Sequence, residues 1–502
     1  MTGQVEAIGI QERPTAPLLL VIVALLVALV PAAAVLAVPT PILAGVGGIL
    51  GLLVLCLRPD YATLLVVAIV YSNAAVVAVR FHDVPFALAA GSVFLLCVPL
   101  GYYLLVRRAP LIIPRAVPWI LGFLIVMTLS TLLARNSSAA AGGLGIFVTE
   151  GLLLYLLVVN SVRDERLVLR IVWVLLAVGS VLAALTLHQE VTGNLSNDYL
   201  GFAQTGGDST GLLPGETFRQ RPAGPLDGPN RYAQILVLLL PLSFAVVWGK
   251  YSRLATIAAI VAALILSVGI ALTLSRGAAV GFALVVAIMF ALRYLRLRNL
   301  AFLGVAVVAL LIAFPQYGAR LQSLETVPGF ADEGVEADGS VRSRLTEMAA
   351  AALVFADHPF VGVGPDEFQS YYLEYAEEFG LRVKQDERAA HNLYVGIAAD
   401  FGIFGSFFFF GAIAVTIRDL ARMRSRLLRV RPQLAHLAGG FMLSLVAYLT
   451  TGIFLHLAME RYLWLIMALG ATVVVLGARY VRDADEAALP TAGTTTAPAT
   501  WT

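Results

Sequence analysis

The stretch RAAHNLYVGIAADFGIFGSFFFFGAIAV, residues 388–415, opens on an arginine and a histidine and then stays apolar. A helix needs about 20 such residues to cross roughly 30 Å of hydrocarbon, so this segment reads as a membrane span beginning near His391. Two features ask for a reason: a histidine at the start of a span, and Asp400 inside it.

The rest of the chain supports the membrane reading. Of 502 residues, 59% are hydrophobic and 13% charged, whereas a soluble domain carries about 25% charge. Comparable apolar runs lie near 18–38, 42–57, 61–79, 86–106, 117–134, 139–159, 167–188, 231–249, 254–274, 278–293, 300–315, 391–417, 434–456 and 461–479. The second, tenth and eleventh are short, so twelve full crossings with a re-entrant pair remains open. The expected fold is an all-α integral membrane protein of about 12–14 transmembrane helices with one large extracytoplasmic helical loop.

Arginine-rich connections at 107–116, 160–170, 293–299 and 418–432 fall on one side if both termini are cytoplasmic, as the excess of Lys and Arg in short inner loops requires. That topology divides the chain into a cytoplasmic N-terminus (1–17), scaffold spans (18–188), a first outer loop (189–230), spans joined by an outer SRG turn (231–315), a large outer loop (316–390), C-terminal spans (391–479) and a disordered cytoplasmic tail (480–502). Cys56 and Cys97, the only cysteines, both sit in apolar runs; neither a disulfide framework nor a zinc cluster is expected.

The large outer loop contains SVRSRLTEMAAAALVFADHPFVGVGPDEF. Leu345, Ala349, Ala352, Leu353 and Ala356 recur at helical spacing, which predicts an amphipathic helix near the outer surface. DEFQSYYLEYAEEFG proposes a second short helix with acids at its positive N-terminal end.

The same topology gathers ionisable groups at the outer face: Arg219, Arg221, Arg276, Arg342, Arg344, Arg388 and His391, with Asp386, Glu387 and Asp400. Arg276, in LTLSRGAAVGF, stands between apolar runs, where an arginine at mid-membrane depth costs about 2.5–3.5 kcal/mol. Guanidinium forks suit phosphate, and several together can hold a diphosphate without a metal. His391 suits acceptance of a proton from a hydroxyl. Asp400 follows it by about 13.5 Å of helix rise and points the other way, so it reads as a brace, while Asn392 shares its face. Glu150, an acid inside a span, is a further candidate by default. Walker loops, paired-Asp sugar-nucleotide motifs and acidic clusters spaced for a metal are absent from the sequence. No cofactor and no nucleic-acid partner is expected.

RPAGPLDGPNRYAQILVLLLPL, LSRGAAVGF, SRLTEMAAAALVFADHPFVGVGPDEF and HNLYVGIAADFGIFG occur in that order over roughly 210–415, split by a large outer loop. In this the chain resembles the bacterial O-antigen ligases and polymerases, multispanning GT-C type glycosyltransferases of the envelope. The resemblance implies a donor glycan on undecaprenyl diphosphate, transferred at the outer face of the cytoplasmic membrane to a lipid, glycan or protein acceptor. It implies His391 as the base that activates the acceptor hydroxyl, and Arg276, Arg344 and either Arg219 or Arg221 as diphosphate ligands. Arg342, Arg388, Asn392, Asp400 and Glu150 would support them. One departure is Met348, where family members commonly carry a tryptophan four residues after the loop-helix arginine. A ligase and a polymerase fit the pattern alike. A secondary transporter, the reading from another class, predicts an internal repeat with ionisable groups at the midplane; the sequence shows no repeat, and its charges gather at the outer edge.

Overall fold

The computed structural model describes residues 58–206, 220–226, 228–291, 294, 339–378, 389–455 and 460–488. In chain order the helices are α1 (Pro59–Tyr71), α2 (Ala74–His82), α3 (Phe86–Val106), α4 (Val117–Leu133), α5 (Ser137–Ser161) and α6 (Glu165–Thr192). Next come α7 (Pro229–Gly249), α8 (Arg253–Leu272), α9 (Arg276–Ala291), α10 (Gly339–Asp357), α11 (Phe368–Glu378), α12 (Leu393–Val430), α13 (Pro432–Thr451) and α14 (Arg461–Ala488). A two-stranded antiparallel sheet, β1 (Gln204–Gly206) and β2 (Arg221–Gly224), lies between α6 and α7.

The protein is an all-α membrane protein: among the described residues eight helices are long and apolar enough to cross a bilayer, or nine if α1 and α2 form one bent span. α4 and α9 are shorter apolar helices. The runs near 18–38, 42–57 and 300–315 lie outside the described residues.

The run at 61–79 is not one straight helix, because the axis bends by 61° between α1 and α2. Ser72 turns its hydroxyl back to the Ala68 carbonyl at 2.7 Å, and Asn73 adopts a left-handed φ of 58°. The Asn73 amide then donates to the Pro225 carbonyl at 2.8 Å, so a link to the segment between α6 and α7 stabilises the bend. At the other end of the chain, α14 continues to Ala488, past position 480 where a disordered tail was expected to begin.

Helices α7 and α13 form the centre. Each has 83% of its apolar window buried, against 17% for α3 at the periphery. Lipid is as apolar as leucine, so helices in a membrane associate through close packing and hydrogen bonds rather than through the hydrophobic effect. Here Gln234 on α7 donates to the Thr451 hydroxyl on α13 at 2.6 Å, and Ser444 on α13 donates to the Leu238 carbonyl at 2.6 Å. Toward α12, Phe123 meets Phe147 and Phe401 edge-on, with ring centroids 5.2 and 5.0 Å apart. That contact draws α4, α5 and α12 together.

The long α12 is broken at Gly402, whose backbone takes φ 63° and ψ −164°. The break exposes backbone groups that would be costly in a membrane protein unless other protein atoms satisfied them. Residues 359–364, the PFVGVG between α10 and α11, do so. Val363 and Gly364 donate their N–H groups to the carbonyls of Ala399 and Asp400 at 3.1 and 2.9 Å. Ile403 and Phe404 donate in return to Pro359 and Phe360 at 2.8 and 3.2 Å. Two motifs far apart in sequence are thus one interlocked piece of backbone.

Behind this clamp, α10 and α11 pack on the start of α12 through a small apolar cluster that includes Ala350, Val354, Phe368, Tyr372 and Ala399. The packed face of α10 differs from the one its apolar periodicity suggested. Thr346, Glu347, Ala350, Ala351 and Val354 are buried, whereas Leu345, Ala352 and Ala356 are exposed. Small side chains let the α10 backbone approach α12 closely, and a partner for Glu347 waits there.

Candidate active site

The site begins with the turn between α8 and α9. α8 ends at Leu272 and α9 starts at Arg276, so only Thr273, Leu274 and Ser275 reverse the chain. Leu274 takes a left-handed φ of 52°, a strained state for a γ-branched residue. Thr273 and Ser275 are buried, and the Ser275 hydroxyl accepts from the Ala278 N–H at 3.4 Å, capping α9. Arg276 is therefore held, half-buried, at the first position of its helix.

Arg221 reaches the same turn from β2. Its Nε and Nη2 donate to the Thr273 carbonyl at 2.8 and 2.6 Å, and Nη2 also donates to Asn230 Oδ1 at 3.2 Å. The RPAG and SRG motifs are thus fastened to each other by a guanidinium. Arg344, on the first half of α10, lies near enough to Arg276 for the two like charges to interact. Burial pushes the Arg344 guanidinium down from its ordinary value, and the nearby Glu347 carboxylate pushes it back up. Arginine nevertheless stays protonated at any working pH. Three arginines from three separate segments meet around one edge of the bundle, an arrangement that invites an anion.

His391 stands beside them, two residues ahead of α12. Its φ is 44°, a strained conformation of the kind that clusters at functional sites. Nδ1 is 2.9 Å from Glu347 Oε2 and 2.9 Å from the Ala389 carbonyl. The Ala389 carbonyl can only accept a hydrogen bond, so Nδ1 carries the hydrogen in the neutral ring and Nε2 presents its lone pair, with the Glu347 carboxylate beside Nδ1 as a charge partner. The histidine side chain is 34% exposed while that of Glu347 is 1% exposed. A buried carboxylate behind a half-exposed imidazole stands where a third group stands in nucleophile–base–orienter arrangements. Glu347 was missed from sequence. The available signal was a lone acid three residues before Ala350 and seven before Val354, on a face otherwise lined by small side chains.

Other candidates stand elsewhere. Asn392 caps α12, its Oδ1 accepting from the N–H groups of Tyr394 and Val395 at 2.8 and 3.2 Å. Its amide donates to the Ile453 carbonyl at 3.0 Å, beyond α13. An Asn392→Ala variant is expected to lose about 0.5–2 kcal/mol of stability, measurable as a lower melting temperature of the detergent-purified protein; an unchanged value would show that the cap contributes little. Asp400 is buried and accepts from the Phe368 N–H at 3.2 Å, which ties the start of α11 to α12. Glu150, in a π-helical stretch of α5, pairs with Arg461 at 3.1 Å. This pair lines a cavity of about 1020 Å³ that also touches Arg231, Asp366 and Ala389, with apolar walls from α1 to α3 and α5. Ala389 precedes His391 by two residues, so the cavity approaches the histidine from the bundle side. Arg219, Arg388, Asp386 and Glu387 lie outside the described residues, as does the side chain of Arg342.

The fold defines a polytopic, all-α membrane protein, and the cluster of Arg221, Arg276, Arg344, Glu347 and His391 is its candidate site. Residues 261–410 match the family model described as O-antigen ligase, and over that segment the chain is similar to the O-antigen ligase family. The matched residues run from within α8 through α10 and α11 to the first half of α12. They include Arg276, Arg344, Glu347 and His391; Arg221 lies upstream of them. No curated protein matches the chain. The family match supports an enzyme of O-antigen ligase type set in a membrane.

Proposed function

We propose that the protein transfers a glycan from an undecaprenyl-diphosphate donor to an acceptor hydroxyl at the outer face of the cytoplasmic membrane, without a metal. The reading is carried by the Glu347–His391 pair at 2.9 Å beside converging arginines from β2, α9 and α10. In this mechanism His391 Nε2 takes the proton of the acceptor hydroxyl as its oxygen attacks the anomeric carbon. The bond from that carbon to the diphosphate oxygen breaks, and undecaprenyl diphosphate leaves with the electron pair and inverts the centre. Arg276 and Arg344 stabilise the negative charge that grows on the leaving group, while Arg221 holds the turn that presents Arg276. Glu347 stabilises the imidazolium formed in the attack. The cavity ending near Ala389 provides a partly apolar approach to the histidine.

Purified protein supplied with undecaprenyl-diphosphate glycan and separate lipid, protein and glycan acceptors tests the reading. Transfer is expected to persist in EDTA, and the acceptor consumed distinguishes a ligase from a polymerase. Arg276→Gln and Arg344→Gln should each cut kcat/KM by about 10²-fold, as removal of one preorganised charge donor does. Activity abolished by EDTA, or full activity in both arginine variants, would sink the leaving-group assignment.

A further inference from the structure

A second cavity, of about 780 Å³, opens between residues 113–116, which lead into α4, and helices α5, α12 and α14, at the far end of the bundle from His391. Its α12 residues, among them Thr416, Arg422 and Arg426, lie at least roughly 35 Å along the helix from His391 at 1.5 Å per residue. Glycan transfer at the outer edge makes no use of it. Three observations describe what it would hold.

Charge is the first. Arg115, Arg422 and Arg426 stand at the cavity against a single acid, Asp419, so the lining carries a positive excess. Asp419 engages Arg115 at 3.7 Å, and the Arg115 side chain remains 77% exposed. The second is Tyr155, which lines the cavity and is fully buried, yet its hydroxyl has no hydrogen-bond partner among the described residues. Buried hydroxyls are nearly always paired, so a donor of this kind in a cavity wall points to a ligand acceptor. The third is the remaining wall, where Val415, Val474 and Val475 present apolar surface beside the basic groups.

We propose that this cavity binds the headgroup of an anionic phospholipid, with the phosphate between the arginines and within reach of the Tyr155 hydroxyl. A phosphodiester and inorganic phosphate share the anionic chemistry that arginines recognise. Only the lipid also uses the valine wall, and basic pockets between transmembrane helices at the membrane edge favour such headgroups. Occupancy would join the segment that leads into α4, and α5, to the far half of α12, the helix whose other end carries the site.

The test uses the full-length protein in zwitterionic detergent and a fluorescent short-chain phosphatidylglycerol. The triple variant R115Q/R422Q/R426Q is expected to bind the probe at least about ten-fold more weakly than wild type. Tyr155→Phe, which removes one buried hydroxyl and keeps the ring, should weaken it about three- to ten-fold. Phosphatidylcholine of the same chain length should compete poorly, and millimolar inorganic phosphate should leave the probe bound. Unchanged affinity in both variants would overturn the proposal, as would complete displacement by inorganic phosphate, which would identify a free anion site instead. Should the triple variant fail to fold, Tyr155→Phe decides alone.

Discussion

His391→Ala is expected to lower kcat for glycan transfer by roughly 10²–10⁴-fold, the range spanned by a lost general base, with a much smaller change in KM. The reason lies in the tautomer. Nδ1 faces two acceptors, Glu347 Oε2 and the Ala389 carbonyl, both at 2.9 Å, so Nε2 is the atom that can take a proton. Glu347→Gln separates positioning from charge. Glutamine keeps the size and polarity of the side chain beside Nδ1, but it carries no charge to stabilise an imidazolium. A fall in kcat with KM nearly constant is the expected result, smaller than for His391→Ala, while Glu347→Asp should recover part of the rate. The double variant should be scarcely worse than His391→Ala alone, because groups acting as a unit are not additive. Wild-type kcat in His391→Ala would remove the histidine from the mechanism. Equal losses in Glu347→Gln and Glu347→Asp, each accompanied by a lower melting temperature, would make Glu347 a packing residue.

The second large effect concerns the clamp. At Gly402 a Cβ would sit 2.3 Å from the Phe360 carbonyl carbon, and at Gly362 a Cβ would sit 2.3 Å from the Asp400 carbonyl carbon. Both obstacles are backbone and cannot rotate away, and both glycines have positive φ, 63° and 67°. Gly402→Ala combines backbone strain of about 1–3 kcal/mol with overpacking of about 1–3 kcal/mol. That is a large part of a typical folding free energy of 5–15 kcal/mol. Gly402→Ala and Gly362→Ala should therefore yield little folded protein and no transfer. Gly193, at the end of α6, supplies the control. It has φ 67° but nothing within 4 Å of the added carbon, so Gly193→Ala should cost strain alone and fold. If melting temperatures of all three variants fall alike, the interlocked backbone is not what holds the loop on α12.

How legible the molecule was depended on the kind of signal. Apolar runs of bilayer length leave a mark in composition, and each run expected between 61 and 291, and again from 391 to 479, corresponds to a described helix or bent pair. The bend at Asn73 left no such mark, since it depends on the Pro225 carbonyl, which is distant in sequence. In the site, Arg276, Arg344, His391 and either Arg219 or Arg221 were expected from motifs, and the structure connects Arg221, Arg276, Arg344 and His391 through the SRG turn, α10 and Glu347. Glu347 escaped notice because the apolar spacing of α10 pointed to its other face. Helical periodicity does not say which of two small-residue faces another helix will cover.

Sequence alone determined that this is a multispanning membrane protein, with arginines and one histidine presented around a large loop, because hydrophobicity and charge are read residue by residue. The tertiary structure decided what those residues meet. Asn392 caps α12, Asp400 receives the Phe368 N–H from 32 residues away, and His391 leans on Glu347. Those partnerships accompany the break at Gly402 and the PFVGVG segment that fills it. Backbone pairing of this sort carries no periodic signature and exists only once the loop has folded onto the helix.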